Sequence, residues 1–369
     1  MKTTLHRLAE HGQAIWLDFI SRSFLDGGDF DALIEKGVRG VTSNPSIFQK
    51  AIVEHDEYDV DIRRLTARHP DPTAIYEALA IADIRRAADM LRPCYEATKG
   101  LDGYVSLEVS PALAHDTEGS VADARRLHAA VDRPNLLVKI PATPEGIPAI
   151  EQALVSGINI NVTLIFSVAQ YEDTATAYLN ALETRMAQGR DVRGIASVAS
   201  VFVSRMDTAV DAALDERGRK DLQGHAAVDN ARQAYARFKT LFAGPRWQRL
   251  ADAGARVQRP LWASTGTKNP EYSDVKYIEA LIGADTVNTV PVETLDAYRD
   301  HGDPQARIEQ DVFEAARVLS LLPELEISLD EVTQQLEDEG VEKFNQPFDK
   351  LMEVLAQRSL RQETRAGKA

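Results

Sequence analysis

The sequence predicts an α/β protein folded as a single (β/α)₈ TIM barrel. Short apolar segments recur along the 369 residues, each followed by a polar break and an amphipathic helical stretch. Strict alternation of strand and helix calls for parallel strands, because parallel neighbours need a crossover connection. Most strand starts lie about 25 to 35 residues apart, the length of one βα unit. Eight such units favour a closed barrel over an open sheet.

Taken in order, the predicted strands are 14–19 (AIWLDF), 39–43 (RGVTS), 104–109 (YVSLEV), 135–140 (NLLVKI), 158–166 (ININVTLIF), 195–202 (IASVASVF), 260–264 (PLWAS) and 284–290 (ADTVNTV). Helical patterns fill 121–131, 144–155 and 168–187 between them. The gaps after strands 2 and 6 are about twice the usual unit, so extra helices are expected there, over roughly 46–99 and 206–255. The second insertion should break near Gly218 and at Gly244-Pro245. A helical C-terminal extension is expected over 328–355. The domain is therefore one barrel over 1–355, followed by a polar, net basic tail at 356–369 that should fray.

Composition excludes several classes. Hydrophobic residues make up 44% and charged residues 27%, so a core of ordinary size is available. A net charge of −15, from 42 basic against 57 acidic residues, argues against nucleic-acid or anionic-membrane partners. An anionic substrate would need local Arg or Lys to offset that field. Cys94 stands alone, so no internal disulfide forms and a cytoplasmic location is expected. The opening MKTTLHRLAEHGQAIWLDF is too polar for a signal peptide, and no apolar run reaches the roughly 18 residues of a membrane helix. The sequon Asn161-Val162-Thr163 is accordingly read as accidental. A homodimer is one assembly the chain allows.

The informative feature is which residues interrupt each strand's apolar character. Strand side chains alternate with period two. Ser106, Glu108 and Ser110 share a face opposite Val105, Leu107 and Val109; Asn161 and Thr163 lie opposite Ile160, Val162 and Leu164. Lys139 lies opposite Val138 and Ile140, Asp18 opposite Leu17 and Phe19, and Thr42 pairs with Asn44. In a barrel the apolar face meets the surrounding helices, so these polar residues point inward, at the strand ends where barrel active sites are built. A buried Lys, Glu and Asp must pair, and their pKa values should shift. An ion-paired plug is the bland alternative; convergence of Lys, Asp, Glu, Thr and two Asn favours a site.

Other reactive candidates are weaker. The acidic run 54–61 (EHDEYDVD) reads as a solvated face, His115-Asp116 as a turn feature and Cys94 as packing. GxGxxG, P-loop, HExxH and CxxC motifs are missing, so neither metal nor organic cofactor is expected.

A set of motifs running along nearly the whole chain resembles the transaldolase family, in its longer, bacterial-type branch. They are WLDF with Asp18, GVTSNPSIF (40–48), DGYVSLEVSP (102–111), NLLVKIPAT (135–143), GININVTLIFS (157–167), ASVASVFVSRMD (196–207), WASTGTKNPEY (262–272) and DTVNTVP (285–291). The resemblance implies a dihydroxyacetone transfer from sedoheptulose 7-phosphate or fructose 6-phosphate to glyceraldehyde 3-phosphate or erythrose 4-phosphate, within the pentose phosphate pathway. It implies Lys139 as Schiff-base lysine, Asp18 as acid/base at the cleaved bond, and Glu108 with Thr163 holding the catalytic water. Asn44 and Asn161 would grip the dihydroxyacetone hydroxyls, with Thr42 in support and Ser200 lining that end. Arg205 and Ser264 would bind phosphate. Shorter members carry Arg where this chain has Lys268; a lysine binds phosphate as a point charge, an arginine as a fork.

The chemistry asks for the same residue types. A free lysine, with pKa about 10.4, is almost wholly protonated at neutral pH and becomes a nucleophile only in a desolvated or charged pocket. Imine formation needs a proton for the departing hydroxyl, and cleavage needs a base at the C4 hydroxyl. The iminium accepts the electrons. A fructose-6-phosphate aldolase is the nearest rival, but such relatives lack the Glu and carry Tyr where this chain has Phe202. A non-enzymatic sugar-phosphate-binding barrel would not need Lys139, Asp18 and Glu108 together.

Overall fold

The computed structural model describes residues 2–68, 71–310 and 312–366. Helix α1 (Thr4–Glu10) precedes β1 (Gln13–Leu17), and α2 (Arg22–Asp26) and α3 (Asp29–Lys36) lead to β2 (Gly40–Val41). Helices α4 (Pro45–Glu54), α5 (Asp59–Thr66) and α6 (Pro72–Ala97) come before β3 (Tyr104–Glu108). Then α7 (Thr117–Val131), β4 (Leu136–Pro141), α8 (Gly146–Ser156), β5 (Ile160–Ile165) and α9 (Val168–Ala187) alternate up to β6 (Ser197–Phe202). Helices α10 (Ser204–Glu216), α11 (Ala226–Leu241) and α12 (Pro245–Asp252) precede β7 (Arg259–Ala263), and α13 (Lys276–Ala280) precedes β8 (Thr286–Val290). The chain closes with α14 (Val292–His301), α15 (Val312–Leu321) and α16 (Leu329–Ala366).

Among the described residues the eight strands are parallel and close in chain order into a barrel, β8 returning to β1. The predicted fold class, with extra helices after strands 2 and 6, is the one observed. The helices start where local chemistry directs. Asn44 caps α4, its side chain accepting from the Ile47 amide at 3.0 Å, and Pro45 occupies the first helical turn. Ser167 and Gln170 form a capping box at α9. Gly244-Pro245 opens α12, and a break after α10 includes Gly218.

Three expectations are corrected. The second strand is two residues long, not five: a Cβ on Gly40 would lie 2.6 Å from the Trp16 ring, so this backbone presses against a buried indole instead of extending a ladder. Strand β5 does not alternate to its end. Its pairing with β6 shifts between Val162 and Ile165, and Leu164 takes φ +60°. Such a bulge turns one residue out of the alternating order. Helix α16 runs past residue 355 to Ala366, because no Gly or Pro interrupts 348–366. Arg358 lies within it and reaches Asp59 at 2.9 Å. Of the tail 356–369, residues 367–369 lie outside the described residues.

In the acidic run 54–61, Glu54, His55, Asp56 and Val60 are exposed as a solvated face would be, Glu57, Asp59 and Asp61 are half-buried, and Tyr58 is buried with its hydroxyl donating to Asp83 at 2.8 Å. Asp116 caps α7, and Cys94 is half-buried on α6. No helix among the described residues is long and apolar enough to cross a membrane.

Candidate active site

Register puts three of the predicted polar residues at one level. Glu108 on β3 pairs with Lys139 on β4, and Lys139 pairs with Asn161 on β5. Their side chains therefore sit side by side inside the barrel, late in their strands. The Lys139 Nζ lies 3.2 Å from Glu108 Oε2 and donates to the Ser43 carbonyl at 2.9 Å. Both side chains of the ion pair are only 6% exposed.

A cavity of about 640 Å³, counting its mouth, opens above this level. Asp18, Thr42, Asn44, Lys139, Asn161 and Thr163 line its floor and one side. Ser200, Phe202, Arg205, Ser264 and Lys268 line the rest. All the sequence-predicted site residues except Glu108 thus border one space, and Glu108 reaches it through Lys139. Phe344, Thr289, Ala263, Gly266 and Pro291 complete the wall and were not read from the sequence as site residues. Thr289 shares a face of β8 with Val287, opposite Thr286 and Asn288, so alternation alone would not have singled it out, and Phe344 comes from a distant helix.

Hydrogen bonds fix the polar wall. Thr42 donates to Asp18 Oδ1 at 2.7 Å and meets the Thr289 hydroxyl at 2.6 Å. Ser200 donates to Asn161 Oδ1 at 2.6 Å while Asn161 donates to the Ser106 hydroxyl at 3.0 Å, so the amide is held from both ends. Asn44 spends its side-chain oxygen on the α4 cap, leaving its NH₂ to face a ligand as donor. Among the residues that line the cavity, two buried polar atoms lack a hydrogen-bond partner: Thr163 Oγ1 and Arg205 Nη1. Unsatisfied buried groups are costly, and in a cavity wall they are free to hold a ligand or water.

Electrostatics follow from burial. Burial pushes the Asp18 carboxyl above the usual carboxylate range, against Lys139, the Thr42 hydroxyl and Arg205, which favour the charged form. Burial also raises Glu108; Lys139 opposes it and Asp18 adds to it. Burial lowers the Arg205 guanidinium, opposed by Glu339 and Asp18. Two carboxyl groups with raised pKa thus stand near one buried lysine, and Arg205 and Lys268 line the same cavity as Asp18 and Lys139.

Arg205 begins α10, its guanidinium 5.3 Å from the Phe202 ring centroid. Ser264 takes φ +55° just past β7, and its hydroxyl meets that of Ser204 at 3.0 Å. Lys268 stands exposed at the mouth. Asp207, two residues after Arg205, accepts from Lys276 at 2.9 Å and Tyr277 at 2.8 Å, which ties α10 to α13, the helix that follows the loop carrying Lys268. Among the described residues no group of three His, Cys, Asp or Glu could hold a metal ion.

Such a cavity can hold a polyhydroxylated chain by its hydroxyls, offer an amine to its carbonyl and receive an anion at one end. A family model described as transaldolase/fructose-6-phosphate aldolase matches residues 15–355. A transaldolase of Thiobacillus denitrificans is 50% identical over 92% of this chain and 96% of its own length. One of Thermobifida fusca is 49% identical over 97% and 98%, and one of Trichodesmium erythraeum 45% identical over 94% and 95%.

Proposed function

The chain belongs to the transaldolase/fructose-6-phosphate aldolase family, and from that premise we propose that it is a transaldolase working through a Schiff base on Lys139. The observation that carries the proposal is the buried Lys139–Glu108 pair beside a hydroxyl-binding wall, with Arg205 lining the same cavity. The donor is a ketose phosphate such as fructose 6-phosphate or sedoheptulose 7-phosphate. The acceptor is erythrose 4-phosphate or glyceraldehyde 3-phosphate, which places the reaction in the pentose phosphate pathway.

In the proposed cycle the Lys139 amine adds to the donor C2 carbonyl. The carbinolamine hydroxyl leaves as water, taking a proton that Glu108 relays through a water held with Thr163. Asp18 then accepts the C4 hydroxyl proton, the C3–C4 bond breaks, and its electrons move into the iminium. An aldose phosphate departs and a three-carbon enamine stays on Lys139. Addition of the acceptor aldehyde reverses these steps, and water releases the new ketose. Electrostatic placement supports the division of labour: burial raises both carboxyls, which moves each toward the range in which it can serve as an acid or a base. The lysine is itself the electron sink, so the chemistry needs no metal or organic cofactor.

Asn161 and Asn44 hold the dihydroxyacetone hydroxyls, Arg205 and Ser264 the phosphate, with Lys268 adding charge at the mouth. Phe202 supplies no hydroxyl to the imine, which favours transfer over release of free dihydroxyacetone. Incubation with fructose 6-phosphate and erythrose 4-phosphate tests the reading. A seven-carbon ketose phosphate is expected; free dihydroxyacetone alone would mark an aldolase, and no product a binding protein.

A further inference from the structure

We infer that Phe344, delivered by the C-terminal helix α16, decides how often the three-carbon intermediate is transferred and how often it is lost to water, and that Gly340 and Leu164 position it. The inference rests on the reading of Lys139 as the Schiff-base lysine.

Phe344 is 6% exposed, and its ring centroid lies 5.6 Å from Lys139 Nζ, within reach of a cation–π contact. It borders the reaction cavity on one side. On the other it borders a smaller cavity lined by Glu108, Pro141 and Leu164. The ring is therefore the partition between the space that takes the sugar and a side space that reaches Glu108. Among the described residues no other aromatic ring borders both cavities.

The partition depends on a close approach. A Cβ on Gly340 would meet Leu164 Cδ2 at 2.9 Å and Phe166 Cε2 at 3.5 Å, so any side chain at 340 would have to displace the end of Leu164 beneath α16. Leu164 is the bulge residue with φ +60°, directly after Thr163. The bulge presents Leu164 to the helix, and one turn farther along α16 Phe344 reaches the lysine. Away from the site the helix is held independently. Phe348 packs edge-on to Tyr76 at 5.5 Å, Tyr76 to Phe48 at 5.8 Å, and Arg358 pairs with Asp59.

After cleavage the enamine waits for an acceptor. If it takes a proton at its carbon terminus, water can add to C2 and the C2–N bond breaks. Enamine plus one water then gives free dihydroxyacetone and the lysine amine, with no other reactant. Exclusion of water suppresses this loss, and Phe344 is the wall that excludes it on the helix side.

The full-length chain is assayed with fructose 6-phosphate, with and without erythrose 4-phosphate, and the ratio of free dihydroxyacetone to seven-carbon product is measured. F344A should raise this ratio by about tenfold, as expected when a water-excluding wall is removed. F344M, which keeps bulk and apolarity, should leave it near wild type. G340V, whose branched side chain would displace Leu164 and crowd Phe166 beneath the helix, should raise it as F344A does. Thermal melts identify which variants fold. If a folded F344A or G340V keeps the wild-type ratio, or if F344M raises it as far as F344A, the inference is overturned. A wild-type protein that forms neither product overturns this inference together with the reading beneath it.

Discussion

Glu108 Oε2 and Lys139 Nζ stand 3.2 Å apart on neighbouring strands, facing each other in direct register. Removing either partner would leave the other as a buried group without its counter-charge. The same contact places the carboxyl where it can act on a carbinolamine built on Lys139.

Glu108→Gln should therefore fold but slow imine formation and product release by about 10²–10⁴-fold, the usual worth of general acid–base catalysis. Burial raises the Glu108 carboxyl, so its acid form persists above the ordinary glutamate range. The wild-type rate of imine formation should fall as pH rises through that raised value, and the variant should lack this limb. Stopped-flow trapping with borohydride at several pH values checks both; an unchanged limb would remove Glu108 from the proton relay.

Asp18→Asn separates imine formation from carbon–carbon cleavage. Asn keeps the volume but loses the base, so turnover should drop by about 10²–10⁴-fold. Borohydride with fructose 6-phosphate should then trap the intact six-carbon adduct on Lys139, where wild type yields the three-carbon fragment. Mass spectrometry distinguishes them. Trapping on Lys268 or Lys343 would overturn the lysine assignment instead.

Asp18 also makes a stability prediction of definite sign. Its folded pKa is raised, chiefly by burial, so its contribution is fully present below the unfolded value and is lost as pH rises through the folded one. The melting temperature of Asp18→Asn should exceed that of wild type at neutral pH, with the gap closing toward pH about 4, near an ordinary aspartate pKa. A gap of the opposite sign would mean that Asp18 is held charged by its neighbours.

Arg205→Ala should weaken binding of phosphorylated sugars by about 2–5 kcal/mol, the range for removing one partner of a buried charge pair. Unphosphorylated acceptors should bind as before. Equal losses for both, read as KM or Kd, would make Arg205 a structural residue.

Helix α16 carries its own titration. Glu337 is buried under it, where it accepts from the Gln170 amide of α9. Burial raises its pKa to about 7, Asp338 and Glu145 add to this, and His115 opposes it. Docking of α16 should be strongest below the ordinary glutamate range and weaken as pH rises through about 7. Hydrogen-exchange protection across 329–358, taken relative to the intrinsic rate at each pH, should fall between pH 6 and 8, about one unit either side of that value, and Glu337→Gln should flatten the response. Equal pH dependence in both proteins would place the titrating group elsewhere.

The sequence by itself determined the barrel, all eight of its strands and nearly the whole polar wall. Alternation within a strand is a local property, so the inward direction of Lys139, Glu108, Asn161 and Thr163 could be read from period two alone. Only tertiary structure decided what depends on distant backbones meeting. The 3.2 Å pairing of Glu108 with Lys139 needs the β3–β4 register. Leu164 leaves its expected face because β5 bulges against β6. Asn44 gives its oxygen to a helix cap. Phe344 reaches the lysine from a helix some two hundred residues farther along the chain, through a glycine whose missing side chain leaves room for the approach. No local pattern encodes such a contact, since its energy comes from surfaces that only the closed barrel brings together.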